Sequence, residues 1–293
     1  MSHVAAEIAT QPECWSQALE LKPEGLPEPG ERVAVVGCGT SLYIAQAYAA
    51  LREDAGLGET DAFAASAFPA ARRYDRVLAI TRSGTTTEVL DALRRTRQTS
   101  GTATTAITGD LDTPVATAAG TVVDLSFADE KSVVQTRFAT TTLALLRGHL
   151  ALAAADLPDQ ARRAVEEELP EGAVAAEQFT FLGTGWTVGL AHEAALKLRE
   201  ASGSWTESYP AMEYRHGPVS ISAPGRVVWF FGEPPAGLVD QVRATGATVV
   251  RSGLDPLAEL IRAQRLAVAL AGARGLDPDR PRNLTRSIIL AQP

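Results

Sequence analysis

Two loops carry the glycine and hydroxyl residues that are best suited to chemistry. Residues 37–41 have the sequence GCGTS, after an apolar run that predicts a strand and before a helical stretch. Glycines let a backbone approach an anion, while Thr40 and Ser41 add hydroxyls at a helix start, where free N–H groups favour negative charge. Taken alone, this loop fits a phosphate site and an ordinary turn capped by Ser41 equally well.

The second loop is the stronger candidate for a phosphate site. Residues 81–87 have the sequence TRSGTTT, again between an apolar strand and a helix, and place five hydroxyls and Arg82 around Gly84. A helix needs one N-cap, so the surplus of hydroxyls favours a loop that wraps phosphate oxygens. Neither loop contains the G-x-G-x-x-G or G-K-[ST] pattern of nucleotide sites. The two loops together predict a small anionic metabolite as the ligand.

Three charged residues of one predicted helix form another candidate group. Glu193, Lys197 and Glu200 occupy positions i, i+4 and i+7, which lie on the same helix face. From their spacing alone, a solvated ladder of salt bridges is the better explanation. His216 follows within the sequence EYRHGP, where a turn is expected. A lone histidine there is usually structural, but it can also face a ligand.

The composition excludes several classes of function. The 293-residue chain has a formal net charge of −8, which argues against a nucleic-acid partner because nucleic acid demands a basic face. Cys14 and Cys38 are too few for a disulfide framework or a zinc site, and we expect no metal and no cofactor. The N-terminus lacks the features of a signal peptide, and no apolar run approaches the ~18 residues that span a bilayer. We therefore expect a cytoplasmic protein with no membrane partner.

The order of the predicted elements indicates an α/β fold. Apolar strands alternate with helices in both halves of the chain, which favours right-handed crossovers and mostly parallel sheets. The polar stretch 158–172 is the best boundary between the halves. We expect two doubly wound domains, an N-terminal one over 1–160 with a preceding helix and a smaller C-terminal one over 161–293.

Four blocks of sequence together resemble the sugar-isomerase (SIS) family. They are the GCGTS loop, the Ser/Thr-rich loop around residues 82–84, residues 130–137 (EKSVVQTR), and the block 191–218. The chain is similar over nearly its whole length to the isomerase half of glucosamine-6-phosphate synthase and to stand-alone SIS phosphosugar isomerases and deaminases. The resemblance implies two SIS-type domains and a phosphosugar ligand.

The resemblance also assigns residues to the substrate. It implies that Val133 and Gln135 line the sugar and that the two loops bind its phosphate through Thr40, Ser41, Thr81, Arg82, Ser83 and Thr86. Arg82 replaces a glutamine of the synthase, although a guanidinium suits phosphate well. Gln135 replaces a serine, so recognition near C1 to C3 of the sugar is expected to differ.

The same resemblance implies the catalytic groups. Glu200 matches the general base that moves a proton between C1 and C2, and Glu193 and Lys197 match its supporting residues. His216 matches the ring-opening histidine that the neighbouring subunit contributes, so a homodimer with shared sites is expected. Arg286 stands where the synthase has an imine-forming lysine; because arginine cannot readily form an imine, synthase activity is not expected. The N-terminal segment is also too short for a glutaminase domain.

These residues lead to one reaction class with several outcomes. We expect ring opening and C2 proton abstraction on an amino or N-acetylamino hexose 6-phosphate, giving aldose–ketose isomerisation, deamination or both. The alternative is a dehydratase (lyase) that eliminates the C3 hydroxyl of an N-acetylhexosamine 6-phosphate. A second alternative is a non-catalytic sugar-phosphate sensor, but the residues before Val33 are too few and too proline-rich for a helix-turn-helix.

Overall fold

A computed structural model describes residues 2–69, 71–99 and 101–291 of the chain. The chain forms two compact units. The five-stranded unit comprises Glu13–Lys131, Arg137–Ala153 and Thr285–Pro293, and the four-stranded unit comprises Met1–Pro12, Ser132–Thr136 and Ala154–Leu284. All strands of the first sheet precede residue 160 and those of the second follow it, within the described ranges. The division into domains at residue 160 stays a prediction.

The five-stranded unit contains one parallel sheet in the order β2-β1-β3-β4-β5, counted over its described residues. Its strands are β1 (Val33–Gly37), β2 (Thr60–Ala64), β3 (Arg76–Thr81), β4 (Ala103–Thr108) and β5 (Thr121–Asp124). Its helices are α3 (Thr40–Asp54), α4 (Thr87–Thr99), α5 (Val115–Ala118) and α6 (Arg137–His149), with most of α2 (Gln11–Glu20). This strand order is doubly wound: β2 is added on one side of β1, and β3, β4 and β5 are added on the other side. The direction in which strands are added therefore reverses between β1 and β3.

The four-stranded unit repeats that order with one strand fewer. Over the residues described, its parallel sheet runs β7-β6-β8-β9. The strands are β6 (Gln178–Gly183), β7 (Trp205–Pro210), β8 (Arg226–Phe231) and β9 (Thr248–Val250). The helices are α1 (His3–Ala9), α7 (Leu157–Glu166), α8 (Thr187–Ser202), α9 (Leu238–Arg243) and α10 (Pro256–Ala273). The predicted α/β class with parallel sheets is therefore confirmed.

The apolar runs that predicted the central strands form the cores of the two sheets. Every residue of β1 is buried, as expected for a parallel strand covered by helices on both faces. In the second sheet the aromatic rings of Phe179 and Phe181 stack with centroids 6.4 Å apart, and Phe181 also meets Trp229. Helix α8 packs against α10 beside this sheet.

Several boundaries differ from those expected. The helix expected to precede the N-terminal domain is two helices, α1 and α2, and Pro12 is accepted early in α2 because its missing N–H is not needed there. Helix α6 ends at His149, short of the expected domain boundary at 158–172, and Ala151 just beyond it has a left-handed φ of 55°. Strand β7 was missed because its sequence, WTESYP, is polar, as suits an edge strand.

Two kinds of feature are missing from the part of the chain that the structure describes. None of its helices combines the length and the apolarity that a membrane crossing requires. Within those same residues, His, Cys, Asp and Glu form no group of three or more that could hold a metal ion.

Candidate functional site

The two hydroxyl-rich loops begin side by side in the five-stranded unit. Strands β1 and β3 are parallel neighbours with Val36 opposite Ala79, so Cys38 comes opposite Thr81 as the two strands end. Neighbouring strands lie about 5 Å apart, and a helix follows each loop directly. The loops therefore share the crevice at the reversal of strand order, where open α/β sheets bind their ligands. The N–H groups at the start of α3 and α4 favour an anion there.

Glycine is required at three points of these loops. Gly39 has φ 55° and ψ −125°, a conformation available essentially to glycine alone. A Cβ at Gly37 would lie 2.6 Å from the Ser41 carbonyl carbon, so glycine allows the first turn of α3 to close against β1. Gly84 has φ 61°, and a Cβ there would overlap Thr113 Oγ1. The glycines thus fix the loop shapes rather than provide flexibility.

Most of the hydroxyl residues predicted to bind phosphate are buried. Thr40, Ser41, Thr81 and Ser83 are at most 7% exposed, whereas Thr86 is half-buried. Ser83 Oγ accepts a hydrogen bond from the Thr85 N–H at 3.3 Å, which tightens the second loop.

Cys38 adds no negative charge to the first loop. Burial raises the pKa of its thiol, and the nearby Glu88 carboxylate raises it further. The thiol is therefore neutral near pH 7, and no thiolate opposes a bound anion.

Arg82 is part of a buried network rather than an extended loop side chain. It is 3% exposed, its Nη1 lies 3.5 Å from Glu130 Oε2, and its Nη2 donates to the Arg286 carbonyl at 3.1 Å. Arg286 donates to the Glu130 carbonyl and forms an ion pair of 2.5 Å with Asp129. Arg82 and Arg286, two of the three residues expected to differ from the synthase, thus contact each other. A phosphate-binding role for Arg82 stays a prediction.

The C-terminal segment lies along the second loop, which the sequence did not indicate. Ser287 Oγ is 2.9 Å from Thr85 Oγ1. The Ile288 carbonyl accepts from the Thr87 N–H at 3.2 Å, and Thr87 Oγ1 accepts from the Leu290 N–H at 2.9 Å. The segment has no periodic pattern, so these hydrogen bonds have no local sequence signal.

The four-stranded unit offers an internal comparison. Its strand order reverses between β6 and β8, and the sequence GTGWT follows β6 much as GCGTS follows β1. The loop after β8 has the sequence GEPP, in which the carboxylate of Glu233 repels an anion and the prolines lack N–H donors. Of the two reversal points, the one in the five-stranded unit suits a phosphate.

The charged face of α8 is buried, unlike a solvated salt-bridge ladder. Glu193 is 0% and Lys197 1% exposed, while the Glu200 side chain retains 19%. Lys197 Nζ lies 2.5 Å from Glu200 Oε2 and 3.5 Å from Glu193 Oε1. A buried ammonium between two carboxylates fixes the position of both, and Glu200 is the member that reaches solvent.

Glu200 lines a cavity of about 270 Å³ within the four-stranded unit. Its other charged lining residues are Arg199, Asp277, Arg280 and Arg282. His216 is exposed at the end of a short 3₁₀ helix and does not line this cavity. The structure therefore brings Glu193, Lys197 and Glu200 together, and does not bring His216 of the same chain to that cavity.

The predicted sugar-lining residues lie in segment Ser132–Thr136, which groups with the four-stranded unit. Burial alternates along it: Ser132, Val134 and Thr136 are buried, while Val133 and Gln135 are half-buried. The two predicted residues thus share the more exposed side of the segment.

Fold and site define the chain as an α/β protein with two doubly wound parallel sheets and a candidate anion site in the five-stranded unit. No model of a protein family matches the sequence. The chain is 29% identical over 305 aligned positions to glutamine–fructose-6-phosphate aminotransferase [isomerizing] of Methanothermobacter thermautotrophicus, an alignment that covers 88% of this chain and 51% of that protein. The chain spans about half the length of the curated relatives it matches.

Solved structures give the same result. Glucosamine-6-phosphate deaminase from Thermotoga maritima has a TM-score of 0.81 and 25% identity, covering 99% of this chain and 100% of that one. The C-terminal domain of glucosamine-fructose-6-phosphate aminotransferase from Francisella tularensis, at 20% identity and TM-score 0.77, shares the fold over 96% of this chain and 98% of its own. The predicted resemblance is confirmed: the homologues of this chain are the isomerase halves of such aminotransferases, and its structural neighbours include SIS phosphosugar isomerases and a deaminase.

Proposed function

We propose that this chain is an enzyme that acts on a hexosamine 6-phosphate by isomerisation, deamination or both. The observation that carries the proposal is the pair of glycine- and hydroxyl-rich loops at the β1/β3 reversal point, with two helix N-termini behind them. The relatives support a phosphosugar as the substrate class, since their names include fructose 6-phosphate and glucosamine 6-phosphate.

In this proposal the chemistry is a proton transfer between neighbouring carbons. Glu200 accepts the C2 proton, which leaves an enediol or enolamine, and return of the proton to C1 gives the ketose. With an amine at C2, protonation at C1 gives a C2 imine, and its hydrolysis by water releases ammonia and leaves the ketose, which is deamination. The buried Lys197 keeps the carboxylate of Glu200 in place, because the two groups are 2.5 Å apart. His216 of the partner subunit opens the sugar ring.

A dehydratase is the second candidate, and the position of Arg286 favours it over a synthase. Arg286 is bound to Asp129 and to the Glu130 carbonyl, so its guanidinium serves the structure rather than an imine. From the acetamido enol that an N-acetylhexosamine gives after loss of its C2 proton, the C3 hydroxyl leaves as water as the C2–C3 double bond forms, and this step needs no imine. The candidates therefore differ only in what happens after the first proton transfer.

We expect the chain to convert at least one member of a panel of amino and N-acetylamino hexose 6-phosphates. Ammonia release, ketose formation and ultraviolet absorbance of an enone distinguish deamination, isomerisation and dehydration. Each lost hydrogen bond to a charged group weakens binding by about 10-fold to 100-fold, so Ser83→Ala/Thr86→Ala, which removes two, is expected to raise KM by about 10²-fold to 10⁴-fold.

The control for Ser83→Ala/Thr86→Ala is the variant Ser66→Ala/Thr117→Ala. It removes two hydroxyls of the same unit that lie outside the two proposed phosphate loops. Both of these residues are exposed. A loop variant that binds substrate as tightly as the parent would place the phosphate elsewhere. A parent that converts no member of the panel would contradict the proposed function.

We further propose a homodimer in which each subunit completes its partner's site with His216. The exposure of His216 and its absence from the Glu200 cavity support this arrangement. Mixing inactive Glu200→Gln subunits with inactive His216→Ala subunits is expected to restore about a quarter of the activity, because half of the dimers are mixed and half of their sites are intact. Mixed dimers verified by mass that remain inactive would show that each subunit builds its own site.

A further inference from the structure

Glu7 is a buried carboxylate that the chemistry proposed above does not use. It lies on α1 with 5% exposure and shares the buried face of that helix with Val4 and Ile8, at the i, i+3, i+4 spacing of core residues. Burying a carboxylate costs free energy unless hydrogen bonds replace its water. The partners of Glu7 therefore indicate why a charge is placed there.

Those partners belong to the segment that carries the predicted sugar-lining residues. The Ser132 N–H donates to Glu7 Oε1 at 3.3 Å, and the Ser132 hydroxyl donates to Glu7 Oε2. The same hydroxyl lies 2.8 Å from the Val134 carbonyl. Because burial alternates along Ser132–Thr136, fixing Ser132 also fixes the side on which Val133 and Gln135 are presented.

Helix α1 is anchored near both of its ends, so it can act as a rigid support. The Asp279 carboxylate accepts from the backbone N–H groups of His3 and Val4 at 2.7 and 2.9 Å, where the helix dipole favours negative charge. Just beyond the C-terminal end of α1, Gln11 donates to Gln264 at 2.8 Å, and both side chains are buried. All these residues belong to the four-stranded unit.

We propose that Glu7 is a positioning residue, which clamps Ser132 and so holds Val133 and Gln135 in the conformation that receives the sugar. The inference rests on the proposed function, in which these two residues line the substrate. The side-chain oxygen of Gln135 is shielded from solvent and accepts no hydrogen bond from the residues described, which suits an acceptor for a sugar hydroxyl. Charge-assisted hydrogen bonds give the clamp both direction and strength.

The test uses Glu7→Gln, which keeps the size of the side chain but replaces one acceptor oxygen with a donor. The KM for whichever panel substrate the parent converts is expected to rise about 10-fold, because the neutral amide removes the charge that strengthens both hydrogen bonds to Ser132. The affinity for inorganic phosphate is expected to stay at the parental value, because Glu7 does not belong to the loops proposed to bind it. Ser132→Ala is expected to raise KM in the same way.

Hydrogen exchange provides a readout that does not depend on turnover. In Glu7→Gln the amides of 132–136 are expected to exchange at least about tenfold faster, while those of α10 keep the parental rate. Two controls are matched to this variant: Glu20→Gln neutralises an exposed carboxylate on α2, and Ile8→Val weakens the packing of α1 without touching Ser132.

The outcomes separate the clamp from the proposed function. A parental KM in both Glu7→Gln and Ser132→Ala overturns the inference, as does an equal rise of KM in Ile8→Val. Unchanged hydrogen exchange over 132–136 in Glu7→Gln overturns the clamp, whether or not the parent converts a phosphosugar. A parent that converts none contradicts the proposed function and leaves the exchange test of the clamp in force. Faster exchange together with higher KM and unchanged phosphate affinity supports the clamp.

Discussion

Glu200→Gln is expected to lower kcat by about 10²-fold to 10⁴-fold, the usual contribution of a general base. The substitution preserves the size of the side chain and one hydrogen-bond acceptor, but it removes the oxygen that takes a proton from carbon. Substrate binding is expected to persist, because Glu200 is not among the residues proposed to bind the phosphate. The loss then appears in kcat rather than in KM, as for a group that acts in the transition state.

Isotope exchange makes this prediction specific to the proposed step. The parent is expected to exchange the C2 proton of its substrate with deuterated water, and Glu200→Gln is expected to have lost that exchange. Glu177→Gln is the control, because Glu177 is an exposed glutamate of the same unit. Exchange at the parental rate in Glu200→Gln would contradict the assignment of the base.

The features that the sequence predicted well are local ones. The loops at 37–41 and 81–87 combine glycine, hydroxyls and a flanking apolar strand within a few residues, so their place at the carboxyl ends of two strands follows from the chain itself. The shared face of Glu193, Lys197 and Glu200 follows from helical spacing. Spacing did not reveal that this face is buried, because burial depends on the packing of α8 against α10.

The features that were missed depend on residues far apart in the chain. Arg82 and Glu130 are 48 residues apart, and Glu7 and Ser132 are 125 apart. Only the fold brings such pairs together, and neither partner stands out by type alone. The one available signal was Glu7 itself, a charge at a core position of an amphipathic helix. Such a residue indicates a buried partner without saying which one.

The contacts of Arg82 and Arg286 suggest why both depart from the synthase pattern. Both guanidinium groups reach the short stretch of Asp129 and Glu130, and the Arg286 carbonyl accepts from Arg82. Each of the two guanidinium groups faces one carboxylate of this stretch, Arg82 that of Glu130 and Arg286 that of Asp129. Arg286 thus anchors the C-terminal segment to residues 129–130.

Lys197→Met is expected to have the largest effect on stability, because it removes the ammonium from between two carboxylates. Glu193 is 0% exposed and Glu200 19%, so at least one negative charge would remain buried without that cation. Breaking a buried ion pair in this way typically costs about 3–5 kcal/mol. Denaturant unfolding at neutral pH measures the loss, and Arg243→Met is the matched control, since its exposed pair with Asp240 contributes about 0–1 kcal/mol.

A second variant separates the stability of this network from its role in catalysis. Glu193→Gln/Lys197→Met removes one buried charge of each sign, so it is expected to recover most of the free energy of unfolding that Lys197→Met loses. The rate is not expected to recover, because no ammonium then holds the Glu200 carboxylate at 2.5 Å in the position from which it reaches C2. A double variant that regains both stability and parental kcat would show that Lys197 only neutralises Glu193. A Lys197→Met protein as stable as the parent would mean that the carboxylates of α8 are already compensated by other groups.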